Sequence, residues 1–186
     1  NLTASQQALV TGLAELEAAE QVLADIAAAA AVDALIDAFT DPLVSDDVAA
    51  AREAYNNLTA SQQALVTGLA ELEAAEQVLA DIAAAAAVDA LIDAFTDPLV
   101  SDDVAAAREA YNNLTESQQA LVTGLAELEA AEQVLADIAA AAAVDALIDA
   151  FTDPLVSDDV AAAREAYNNL TESQQALVTG LAELEA

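Results

Sequence analysis

Large apolar residues in this chain fall three and four positions apart over long stretches, with acids filling the gaps, a spacing that marks amphipathic helices. In the copy of the pattern that begins at Leu58, the stripe runs through Leu65, Leu69, Leu72, Leu79 and Ile82, with Ala75 and Ala86 in register. Glu71, Glu73, Glu76 and Asp81 lie between them, on the side expected to be wet. Thr59 followed by Gln62 fits a capping box, in which a hydroxyl and an amide satisfy backbone donors left free at a helix start. Gly68 interrupts the stripe and marks either a kink or a close approach to a neighbouring helix, since glycine costs about 1 kcal/mol relative to alanine inside a helix. The run Ala83 to Ala87 propagates helix, and Val88, Leu91, Ile92 and Phe95 form a second stripe. That stripe ends at Thr96-Asp97-Pro98, because the residue before proline disfavours the α region.

The pattern predicts one helix from about Ala60 to about Phe95, roughly 36 residues and roughly 54 Å long. A short helix should follow, with Ser101 as its N-cap and Asp102 and Asp103 complementing its dipole. Val104, Ala107, Tyr111 and Leu114 form its apolar stripe, and it exits at Asn112-Asn113, where asparagine tolerates the left-handed conformation. Thr115 then caps the next long helix. Phe95 is expected to plug a bundle end, and Tyr111 to anchor the core with its hydroxyl at the surface.

All of this recurs. The run from Asn1 to Asn56 returns at Asn57, Asn113 and Asn169, a 56-residue period whose last copy stops at Ala186. The visible change is Ala4 and Ala60 giving way to Glu116 and Glu172. The expected fold is all-α: tandem three-helix bundles in a spectrin-like rod, with helices continuous between repeats. Residues 1–30 form a partial repeat carrying the third helix of a truncated bundle; 31–86 and 87–142 are three-helix repeats, and 143–186 is a third, truncated at its end. The natural boundary is the Pro98 turn and its equivalents, while the alanine run fuses neighbouring bundles. With the second helix folding back, each repeat advances roughly 35 Å and three units make a rod of about 100 Å. Because the chain opens mid-repeat without methionine, it reads as a fragment of a longer protein.

Composition narrows the function. Net charge is −31, from 34 acids against the three arginines Arg52, Arg108 and Arg164, with no lysine or histidine. Such a surface repels nucleic acid and anionic membranes and keeps a long array soluble; a salty habitat would also suit it. There is no cysteine for disulfides or thiolate metal sites. No apolar stretch is a plausible membrane span, because acids run through DIAAAAAVDALIDAF. No catalytic, cofactor-binding or metal residue is expected. Paired carboxylates could in principle support glycosidase chemistry, but that needs a cleft with two acids in unequal environments, and small identical bundles offer none.

Three features carry competing readings. Asp97, Asp102 and Asp103 share one turn, with Asp89 and Asp93 laddering towards it; hard oxygens suit calcium, but the spacing is not that of an EF-hand and solvated capping explains the acids. Arg108, beside Glu109, is expected to be held by carboxylates of the neighbouring long helix with its stem on the core, rather than to read a ligand. Asn57-Leu58-Thr59 matches a glycosylation sequon, although the Thr cap accounts for it. Isopeptide cross-links need lysine and are excluded.

The segments VDALIDAF, VAAAREAYNNLT and SQQALVTGLAELEAAE resemble the tandem three-helix repeats of large Gram-positive bacterial surface proteins, the FIVAR-like and GA-module-like class. The matching motifs are Ala-Arg-Glu-Ala-Tyr ending at Tyr111, Leu114-Thr115 and Leu121-Val122-Thr123, and every repeat carries them. The chain departs from the class in having Gln63, Gln119 and Gln175 where relatives often carry a lysine beside the glutamine, and Gly68 where asparagine is frequent. The resemblance implies a cell-wall-attached stalk or adhesive array and brings no catalytic residues with it. The leading expectation is a structural spacer that projects a terminal domain, as a monomeric rod without cofactors, in a protein that could have a host or matrix ligand. A multivalent binding module is the alternative; it predicts an exposed apolar patch that the core does not need, and the sequence shows little of one. A designed repeat protein would also explain the identity of the copies, though Gly68 and the alanine-to-glutamate change are untidy for a design.

Overall fold

Helices are the only regular elements among the described residues of the computed structural model, which are 3–7, 11–151 and 156–185. The chain divides into two compact units, residues 1–83 and 84–186.

The first unit holds α1 (Ala4–Gln7), α2 (Leu13–Asp37), α3 (Ser45–Asn56), α4 (Ala60–Gln63) and most of α5 (Leu69–Asp93). Its core joins Val32 and Ile36 of α2, Val48 and Ala51 of α3, and Leu72 and Ala75 of α5. Phe39, Tyr55 and Leu58 pack half-buried against it, as Phe95, Tyr111 and Leu114 do in the next copy. The aromatic residues therefore take the expected anchoring places.

The second unit contains the end of α5, then α6 (Ser101–Asn112), α7 (Glu116–Gln119), α8 (Leu125–Asp149), α9 (Ser157–Asn168), α10 (Glu172–Gln175) and α11 (Leu181–Glu185). It has two cores. One joins Val88, Ile92, Val104, Ala107, Leu128 and Ala131; the other joins Ala141, Val144, Ile148, Ala163, Val178 and Leu184. The α8 helix runs unbroken through its alanines and serves both. At 3.6 residues per turn, Leu128, Ala131 and Leu135 point about 140° around the helix from Ala141, Val144 and Ile148. The buried face thus changes sides midway along the helix.

That switch corrects both stripes expected from the sequence. Leu72 and Ala75 are buried, but Leu65 and Ile82 are 43% and 47% exposed, and Leu91 is exposed too. Ala85, rather than Ala86, is the buried alanine. The step from Leu79 to Ile82 continues the local spacing, yet the helix has begun to turn its other side inward.

The helix expected from Ala60 to Phe95 is also two helices. α4 stops after Gln63, and α5 begins only at Leu69. A continuing helix would direct the amides of Thr67 and Gly68 to the carbonyls of Gln63 and Ala64. Both amides donate instead to the Asp33 carboxylate of α2, at 3.0 and 2.9 Å. The capping boxes at Thr59 and Thr115 form as expected, but each starts a four-residue helix.

Two smaller expectations fail. Val100, in extended conformation, is the N-cap of α6, leaving Ser101 inside the first turn with Asp102 and Asp103. Asn113 leaves that helix right-handed at φ −80, so no left-handed exit is used. The Pro42 and Pro98 turns stop α2 and α5 as predicted, and their Asp41-Pro42 and Asp97-Pro98 peptides are cis; the equivalent turn at Pro154 lies outside the described residues. Among the described residues no helix is long and apolar enough to cross a membrane.

Candidate functional site

Each bundle-like core is closed by a staple formed across 34 residues. In the second unit, Asp89 of α5 accepts from the Thr123 amide at 3.0 Å, the Thr123 hydroxyl at 2.8 Å and the Gly124 amide at 2.8 Å. The same three donors meet Asp33 in the first copy and Asp145 in the third. An anion at a helix start satisfies free donors and complements the dipole. Partial burial works against the charge on Asp33 and Asp89, but the donors win and hold both carboxyls below the ordinary carboxylate range. At Asp145 the Gly180 amide is the largest influence, and the direction is the same.

Glycine sits in close quarters where this staple closes. A Cβ on Gly124 would sit 3.1 and 3.2 Å from the buried Ile92 side chain and 3.3 Å from the Asp89 carboxylate. Gly68 and Gly180 meet Ile36 and Ile148 in the same way, whereas nothing lies within 4 Å of the equivalent place on Gly12. Of the two roles considered for Gly68 in the sequence, the close approach is the one it performs. Asp89 consequently turns to Thr123 and Gly124 rather than laddering towards the proline turn.

A second tie uses both ends of one amide. Gln62 Oε1 accepts from the Thr59 backbone N–H at 2.9 Å, completing the capping box, while Nε2 donates to Asp25 of α2 at 2.9 Å. Gln174 donates to Asp137 likewise at 2.8 Å.

Arg52 and Arg108 pair with a carboxylate of the neighbouring long helix, as expected. Arg108 binds Glu132 of α8 side-on, Nε to Oε1 at 2.6 Å and Nη2 to Oε2 at 2.7 Å, and its Cζ lies 5.4 Å from the Tyr111 ring centroid. Arg52, Glu76 and Tyr55 repeat this arrangement. The hydrogen bond between the partners raises the guanidinium pKa and lowers that of the carboxyl. In the third copy Arg164 donates to the Leu184 carbonyl at 2.8 Å. A shallow groove of about 490 Å³ lies along each complete pair, lined by Ser101, Val104, Arg108, Glu132 and Leu135 in the second unit. Arg108 and Glu132 are matched to each other there, and Glu109 adds a further acid to the lining.

A third feature was not legible from stripe positions. Beside each described proline turn lies an apolar groove, of about 460 Å³ at Pro98 and about 480 Å³ at Pro42. Its floor includes Val134 and Ile138, or Val78 and Ile82, all 47% exposed. Among the described residues no group of His, Cys, Asp or Glu is placed to hold a metal ion, so Asp97, Asp102 and Asp103 are not brought together as ligands. No charged or polar side chain is buried among them either. The arrangement offers surfaces and ties. Comparison of the chain with family models, with curated proteins and with solved structures gives no match.

Proposed function

We propose that the chain is a length of non-enzymatic stalk, made of tandem three-helix repeats, from a bacterial surface protein of the FIVAR-like or GA-module-like class. In this reading the repeats hold a terminal functional domain away from a cell wall, as a monomeric rod. The observation that carries it is α8, a 25-residue helix of about 37 Å that supplies side chains to two successive cores without a break. A joint made of continuous helix resists bending where a loop would not. The Asp staples and Arg–Glu pairs lock the other helices to that spine, and the −31 charge disfavours aggregation and binding to nucleic acid.

Repeat number would then set reach. Small-angle scattering on chains carrying increasing numbers of repeats tests this directly. The maximum dimension should rise by a constant step per repeat and hold from low to molar salt. Compact particles, or dimensions that collapse as salt screens the acids, would overturn the proposal.

A further inference from the structure

We propose that the apolar groove beside the Pro42 and Pro98 turns docks a cationic amphipathic helix of another protein, a role that goes beyond spacing. In the second unit Phe95, Pro98 and Leu99 form one wall, and Ala130, Val134 and Ile138 form the floor along α8. Ala130, Val134 and Ile138 step by four residues, so they make one continuous strip on the helix surface. The core does not need this strip, because α8 packs inward through Leu128, Ala131 and Leu135. The first unit repeats the groove with Phe39, Pro42 and Leu43 against Ala74, Val78 and Ile82.

Charge selects the occupant. Asp97 and Glu127 line the groove in one unit, Asp41 and Glu71 in the other, and no basic residue lines either. A second copy of this chain would bring another −31 to the contact, which disfavours self-docking. A helix with leucines on one face and lysines flanking them matches both parts of the surface. Its apolar anchors would enter the strip in the helix-in-groove manner, and its lysine stems would lie along the walls with their ammonium groups at the acids. Recurrence of the groove along the array would add avidity for a partner that carries several such helices.

The probe is a fluorescein-labelled synthetic peptide of leucine and lysine, with leucines at helical i, i+3, i+4 and i+7 spacing, titrated against the whole chain by anisotropy. Binding should saturate, and it should shift the methyl NMR signals of Val134, Ile138, Val78 and Ile82 ahead of those near Arg108. Replacing these four exposed residues by serine should weaken binding at least tenfold while helicity by circular dichroism is unchanged. The methyl shifts in the unmodified protein decide the matter if the quadruple variant loses helicity. Equal binding of a peptide with its leucines changed to glutamine would overturn the proposal in favour of charge alone. Equal binding of a leucine–glutamate peptide would overturn the charge argument. Concentration-dependent shifts of the same methyls without peptide would reassign the groove to self-association.

Discussion

Asp89→Ala removes the carboxylate that starts α8, and its cost can be worked from the three donors it leaves behind. Hydrogen bonds to a charged group contribute about 1.5–3 kcal/mol each when well buried. Here Thr123 is exposed and Gly124 half-buried, so solvent screening reduces each to about 0.5–1 kcal/mol, or about 2 kcal/mol for the set. The substitution also brings gains. Alanine is a better helix former than aspartate by up to about 0.7 kcal/mol, and losing one of 34 acids relieves a few tenths more. The net loss should therefore be only about 1 kcal/mol, which a single variant would report ambiguously. Asp93→Ala resolves this, since Asp93 is an exposed acid on the same helix and its removal brings the gains without the loss. The two variants should differ by about 2 kcal/mol, equivalent to roughly 10 °C in Tm for a unit near 100 residues. Thermal unfolding followed by circular dichroism gives the difference. Amide exchange gives the location: Gly124 should lose protection in Asp89→Ala while Gly68, held by Asp33, keeps it. If the variants agree within about 0.5 kcal/mol and the Gly124 amide stays protected, the staple is not what starts this helix.

Gly124→Ala should destabilise by about 1 kcal/mol, the cost of crowding the buried Ile92 exceeding the gain in unfolded-state entropy, whereas Gly12→Ala, with open space around it, should not destabilise; paired urea titrations compare them. A double-mutant cycle of Arg108→Gln and Glu132→Gln should give a coupling of about 1 kcal/mol for this half-exposed bidentate pair, and a coupling near zero would remove it from the account. The staple also predicts a pH dependence of definite sign. The folded Asp89 carboxyl has a lowered pKa, so its contribution is complete above the unfolded pKa and is lost as pH falls through the folded one. The stability gap between the unmodified chain and Asp89→Asn should be full at neutral pH and close below about pH 4, even though acidification stabilises both chains by discharging other carboxylates. A gap that widens on acidification would contradict that direction.

Much of the architecture was legible because its causes are local. The Thr59–Gln62 box, the stop before Pro98 and the helix-forming alanine run each depend on residues a few positions apart. The Arg108 partner was legible for another reason: an arginine among so many acids can hardly avoid a carboxylate on the facing helix. The break at Thr67-Gly68 was not legible, because the group that captures those amides lies 34 residues earlier in sequence. A Val-Thr-Gly triplet looks like a mild interruption until Asp33 is known to face it. The Pro-turn grooves were hidden by a similar ambiguity. Val78 and Ile82 satisfy helical apolar spacing, and only the change of buried face along the helix shows that they lie outside both cores. The same spacing rule that found the helices therefore overstated how much of each is covered.

The central claim is that the alanine run carries one unbroken helix from core to core, making the repeat a unit of length. With no native cysteine in the chain, spin labels at Ala126→Cys and Ala146→Cys would report on α8 alone. Both positions are exposed, and twenty residues of α-helix place their Cα atoms about 30 Å apart. Double electron–electron resonance should give one narrow distance distribution about that value, unchanged between low and high salt. A broad distribution, or one that shortens with salt, would mean that the alanines bend and that the repeats are separate beads.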